Sequence, residues 1–235
     1  MHVSDSVKMK CKIVTFKEVH QMTRDTAQQV KASGYEPTTV VGLARGGWIP
    51  ARLMCDFIGI TDLISLKVEH WVETGRTKDE ATIKYPLTIN LSGKRLLVVD
   101  DITDTGKSLI TAVDYMSQFQ PGDVRVATMQ YIPGSTYRPD YFCEEVKEWT
   151  WFIYPWNWVE DTSTLVVRLM NTRMGDEWSI EEISNGLTEN FEIKWDDEML
   201  SYILSVMVER MQLHLIEEET YKAFKLREAR VLRFI

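Results

Sequence analysis

The chain has 235 residues, 44% of them hydrophobic, and its 35 acidic against 27 basic side chains give a formal net charge of -8. That length can bury one large core or a domain with an appendage, and the negative balance argues against capture of nucleic acid or an anionic membrane surface, leaving a small molecule as the expected ligand. Cys11, Cys55 and Cys143 are odd in number and widely spaced, as reduced packing cysteines are; the polar start and the lack of any run of ~20 apolar residues lead to the expectation of a soluble, cytoplasmic protein.

Thr15 can cap a helix over 16–32, which Gly34 and Pro37 stop. The period then changes. Residues 38–43 are β-branched and apolar, and Arg45-Gly46-Gly47 leads from this strand into a helix over 49–57. A second strand is expected over 63–68, a mobile polar loop over 69–81 and extended chain over 83–89. Arg95-Leu96-Leu97-Val98-Val99 reads as a strand covered on both faces, feeding through an aspartate-rich loop into a helix over 107–119 that Pro121-Gly122 ends. Strands follow over 124–129 and 150–153. Alternating strands and helices imply an α/β fold with a mainly parallel sheet and ligands at the carboxyl ends of its strands.

From Asn171 onward the pattern is helical only. Ser179 with Glu182 makes a capping box, Asp196 or Asp197 can cap a long helix through Ile216, and 217–234 reads as a third amphipathic helix. The expected organisation is a core domain over 1–170 and a three-helix appendage over 171–235.

The chemistry concentrates in Val98-Val99-Asp100-Asp101-Ile102-Thr103-Asp104-Thr105-Gly106-Lys107-Ser108. Backbone N–H groups at a helix start, backed by the helix dipole, suit a phosphate held by Thr105, Gly106, Lys107 and Ser108. Thr103, Thr105 and Ser108 can donate hydroxyl hydrogen bonds, and Asp100 and Asp101 can accept from vicinal ribose hydroxyls. The spacing differs from that of a Walker A loop.

This segment resembles the signature that binds 5-phosphoribosyl-1-pyrophosphate (PRPP) in type I phosphoribosyltransferases, and Gly42-Leu43-Ala44-Arg45-Gly46-Gly47 is similar to the family's pyrophosphate loop. The resemblance covers roughly residues 40–158. It implies the type I phosphoribosyltransferase fold, displacement of pyrophosphate from PRPP by a nucleobase nitrogen, and magnesium bound with PRPP. Asp100 and Asp101 would hold the ribose, residues Thr103, Asp104, Thr105, Gly106, Lys107 and Ser108 the 5′-phosphate, and Ala44, Arg45 and Gly46 the pyrophosphate. No metal ligand of the protein's own is expected, and Asn157 stands where relatives often carry an aspartate. A cis peptide is expected between Ala44 and Arg45, and the polar stretch with His70 and Trp71 occupies the place of the loop that closes over PRPP.

Asp104 resembles the general base or acid of 6-oxopurine enzymes, so the implied partner is a purine base. Trp151 would stack on it and the Phe152 backbone would face its edge, as in xanthine-guanine phosphoribosyltransferases. Ile132 departs from that pattern, because relatives place a lysine there as donor to the 6-oxo group. Without the donor an oxopurine loses a hydrogen bond and adenine loses a donor clash. Adenine, giving AMP in purine salvage, is therefore the expected substrate. The alternatives are a 6-oxopurine enzyme and a non-catalytic PRPP-sensing regulator. A homodimer is expected, because the amphipathic appendage can pack on the core or on a second subunit.

Overall fold

A computed structural model describes residues 7–70, 81–218 and 221–227. In chain order the elements are β1 (Cys11–Ile13), α1 (Phe16–Ala32), β2 (Thr39–Ala44), α2 (Trp48–Ile58), β3 (Leu63–His70), β4 (Ala81–Ile83), β5 (Arg95–Thr103) and α3 (Lys107–Ser117). They continue with β6 (Asp123–Tyr131), β7 (Tyr141–Glu145), β8 (Trp151–Ile153), α4 (Trp158–Met170), α5 (Ile180–Phe191), α6 (Asp197–Glu209), β9 (Leu213–Glu218) and β10 (Tyr221–Leu226). The expected loop over 69–81 begins later, since β3 runs to His70, and residues 71–80, with Trp71, lie outside the described residues.

Contacts divide the chain into two compact units, residues 16–149 and residues 1–15 with 150–235. The first holds a six-stranded sheet in the order β4-β3-β2-β5-β6-β7, parallel throughout except for β4. The apolar run at the start of β5 explains its central place. Leu97 and Val99 share one core with Ala27 and Val30 of α1 and Ala51 and Met54 of α2, whereas Leu96 and Val98 share another with Leu109, Ala112 and Met116 of α3. Side chains alternate across a strand, so a strand buried on both faces has no polar position to spare. After the exposed Arg95 that opens the strand, the polar residues of β5 come only at its carboxyl end.

The second unit is built from both ends of the chain. β1 pairs parallel with β8, Cys11 opposite Trp151 and Ile13 opposite Ile153. Leu165, Val166, Leu169 and Met170 of α4 share a core with Ile183, Leu187 and Phe191 of α5 and with Ile203, Leu204 and Met207 of α6. The division therefore falls at 149/150 in place of the expected 170/171, because α4 is part of this core. The capping box expected at Ser179 and Glu182 is present, and the Asp196 side chain caps α6 by accepting from the Met199 N–H at 2.7 Å.

The third appendage helix is corrected. Residues 213–218 and 221–226 form an antiparallel hairpin, β9 with β10, and residues beyond 227 lie outside the described residues. The second helix also stops short of Ile216. Met211 takes a left-handed φ of 60°, and the Gln212 N–H returns to the Met207 carbonyl at 2.8 Å, closing α6 with a Schellman-type turn that lacks the usual glycine.

Candidate active site

The carboxyl ends of β2, β3, β5 and β6 lie side by side in the parallel sheet, and three chain segments meet there. β5 carries Asp100 and Asp101 within its last residues and ends at Thr103, so the loop into α3 is only Asp104-Thr105-Gly106. Gly106 is the N-cap of α3 with φ +83°, and a Cβ there would meet Ser135 Oγ at 2.5 Å and the Tyr137 backbone nitrogen at 2.6 Å. Both facts demand glycine. The Lys107 N–H donates to Thr105 Oγ1 at a long 3.5 Å, and the first turn of α3 contains no acidic residue. The positive end of the helix dipole is thus available to an anion.

The second segment follows β2. The Ala44–Arg45 peptide is cis, as expected, and Arg45 is exposed. Gly46 lies against the Asp101 carboxylate so closely that a side chain there would overlap it. Gly47 donates to the Leu43 carbonyl at 2.8 Å and is equally crowded, its missing Cβ facing the Val99 carbonyl. Ala44, Arg45 and Gly46 are the contacts expected for pyrophosphate within the motif that ends at Gly47. Gly47 is as necessary, because it lets β2 turn into α2 against β5.

The third segment is Ile132 to Tyr137, just past β6. The Ile132 N–H donates to the Thr103 carbonyl at 2.9 Å, while the Thr136 N–H and hydroxyl both donate to the Thr105 carbonyl, at 3.0 and 2.7 Å. No local motif points to Thr136, whose role depends on the β5–β6 register pairing Thr103 with Tyr131.

Asp100 and Asp101 are adjacent, and both are half-buried. The Asp101 N–H donates to Asp100 Oδ1 at 3.0 Å and the Ile102 N–H to Asp101 Oδ1 at 2.8 Å. Burial raises the Asp100 pKa well above the ordinary carboxylate range, the neighbouring Asp101 charge adds to the rise, and the Asp101 and Gly47 backbone N–H groups oppose it. Asp104 and Thr105 are exposed, and Lys107 and Ser108 half-buried at the start of α3. Thr103 departs from its expected place. Its buried hydroxyl donates to Thr128 Oγ1 at 3.2 Å and is turned into the sheet.

Of the residues expected at the base, Ile132 is half-buried beside the loop just described. Trp151 and Phe152 belong to β8 in the other unit, Trp151 exposed and Phe152 half-buried. Asn157 is the N-cap residue of α4. Among the described residues no group of three or more His, Cys, Asp or Glu side chains is arranged to hold a metal ion, and no helix is long and apolar enough to cross a membrane.

The start of α3 lies at the same end of the sheet as the paired carboxylates and the Gly-Gly turn, and residues 13–161 match the family model described as "Phosphoribosyl transferase domain". The chain belongs to the phosphoribosyltransferase family. It is 29% identical over 150 residues to a xanthine-guanine phosphoribosyltransferase of Cereibacter sphaeroides, which spans 61% of this chain and 85% of the relative. Another protein of that name, from Idiomarina loihiensis, is 26% identical over 145 residues, with the same coverage of 61% and 85%. Among solved structures, a purine phosphoribosyltransferase of Pyrococcus horikoshii Ot3 superposes with a TM-score of 0.56 at 26% identity, covering 63% of this chain and 94% of that one. As in the type I phosphoribosyltransferase fold, the central sheet is mostly parallel and flanked by helices.

Proposed function

We propose that this phosphoribosyltransferase transfers the phosphoribosyl group of PRPP to a purine, releasing pyrophosphate and a purine nucleoside monophosphate. The observation that carries the reading is the packing of Gly46 on the Asp101 carboxylate. It joins the loop suited to pyrophosphate to the carboxylates suited to ribose, two groups that PRPP holds one bond apart.

In this reading the 5′-phosphate sits on the backbone of Asp104, Thr105, Gly106, Lys107 and Ser108 at the start of α3. Asp100 and Asp101 accept from the ribose hydroxyls, and Ala44, Arg45 and Gly46 receive the pyrophosphate as negative charge builds on it. Asp104 takes or gives the proton of the purine imidazole nitrogen. The donor set suits magnesium brought in with PRPP: it offers adjacent hard carboxylate oxygens in Asp100 and Asp101 but no enclosing cage, and a magnesium ion that keeps its waters and binds through phosphates requires none. Bound there, the ion would neutralise charge on the leaving group.

Two readings of the base have separate support. The relatives named xanthine-guanine phosphoribosyltransferases favour a 6-oxopurine, and this takes precedence over the adenine expected from the sequence. Ile132 is what favours adenine, since a hydrocarbon side chain beside the loop supplies no donor to a 6-oxo group. The test incubates the protein with PRPP, magnesium and each of xanthine, guanine, hypoxanthine, adenine and uracil, and follows nucleotide formation. Product with oxopurines alone supports the first reading and product with adenine alone the second. No product with any base would defeat the enzyme and leave a PRPP-sensing regulator.

A further inference from the structure

We propose that Lys67 is a second cation for the pyrophosphate, parked on Glu69 until the ligand arrives; this rests on the reading of 44–46 as the pyrophosphate loop. Strand register places it. In the β2–β3 ladder Gly42 pairs with Ser65 and Ala44 with Lys67, so Lys67 stands level with the residue that opens the loop. Alternation then fixes its face. Leu66 lies in the core with α3, whereas Ser65, one residue before it, accepts a hydrogen bond from Trp48 Nε1 at 2.5 Å. Trp48 is the first residue of α2 and directly follows Gly46-Gly47. Lys67 shares the Ser65 face, one pleat nearer the carboxyl end.

Its present partner can release it. Lys67 Nζ lies 2.8 Å from Glu69 Oε1, and Lys84 Nζ lies 2.9 Å from the same oxygen. All three side chains are about one-third exposed or more, at 32%, 31% and 41% for Lys67, Glu69 and Lys84, so the pairs are weakly held. Lys84 is fixed by its own backbone, whose N–H donates to the Lys67 carbonyl at 2.9 Å. When Lys67 swings to a phosphate, Glu69 keeps Lys84 and no carboxylate is stranded. The chemistry asks for such a group, because a diphosphate carries several charges and Arg45 is one cation. A compact ammonium on a flexible stem suits an oxygen cluster that arrives with PRPP and leaves as product.

The test measures binding to the full chain by calorimetry, with PRPP and with inorganic pyrophosphate, each with magnesium and without a base. Lys67→Gln should weaken both ligands about tenfold or more, the loss expected for a charge-assisted hydrogen bond. Affinity for the nucleoside monophosphate, which lacks the diphosphate, should hold within about twofold. Lys67→Arg should restore most of the loss, and Lys84→Gln, which removes the same charge farther from the loop, should leave PRPP affinity nearly unchanged. Equal losses for Lys67→Gln and Lys84→Gln, or a Lys67→Gln protein that binds PRPP like the parent, would overturn the inference. A parent protein that fails to bind PRPP at all would instead overturn the functional reading on which it stands.

Discussion

Thr136 holds Thr105 by its backbone carbonyl, with the N–H at 3.0 Å and the hydroxyl at 2.7 Å from the same oxygen. A carbonyl so engaged is turned toward Thr136. Thr136→Val keeps the shape and one bond but loses the other, which should cost about 1 kcal/mol. The KM for PRPP should rise several-fold while the KM for the base stays level, a split that initial-rate kinetics would reveal.

Gly106→Ala should be far more damaging. The new methyl needs a left-handed backbone that alanine disfavours and a space already filled by Ser135 Oγ and Tyr137. A loss of stability of roughly 1–3 kcal/mol is expected. PRPP binding should fall below detection in calorimetry even at temperatures where circular dichroism reports a folded chain.

Asp104 is exposed at the loop's first position, so its role can be separated from folding. Asp104→Asn should lower kcat by about 10²–10⁴-fold, as loss of a general acid–base does. PRPP affinity should change little. A variant that loses PRPP binding and rate together would make the residue a phosphate ligand alone.

The raised pKa of Asp100 has a definite sign in stability. Because the folded protein holds this proton more tightly than the unfolded chain, its contribution is fullest at pH values below the ordinary carboxylate pKa. It is lost as pH rises through the elevated folded value. Asp100→Asn removes the titration. In ligand-free protein, the Tm of the variant should therefore gain on that of the parent as pH rises from about 4. A constant gap across the range would show that Asp100 is ionised in the fold.

Ile132→Lys tests the base. Ile132 is tied by its N–H to the Thr103 carbonyl, so the position is fixed at the carboxyl end of β5 while the side chain is free to vary. The substitution should raise kcat/KM for oxopurines relative to adenine by about 10-fold or more. An unchanged ratio would mean that base choice is made elsewhere.

The sheet and its phosphate loop were legible because their signals are local. Leu96-Leu97-Val98-Val99 is short, apolar and β-branched at its end, as a strand covered on both faces is, and Gly106 punctuates the start of α3. Elements whose reason lies far along the chain were not. β1 has three residues and exists because β8 is beside it, and β7, Tyr141–Glu145, is an edge strand with polar and apolar residues mixed. α4 went unrecognised although it anchors the second core. The hairpin read as helix because Glu218 and Lys222 stand four residues apart, as on one face of a charged helix, and the stop before it depends on Met211, which looks like any other helical residue. Within the site, Asp100, Asp101, Arg45 and Gly106 could be read from motif chemistry. Thr136 depends on register, which no single segment contains.

The pairing of β1 with β8 imposes an order on synthesis. Residues 11–13 leave the ribosome before any of 151–153 exists, and the chain between them carries a whole sheet with both its cores. The intervening 16–149 can complete its own fold while the first strand waits unpaired. The parallel pairing of β1 with β8 cannot close until residues 151–153 have emerged, after the whole of 16–149.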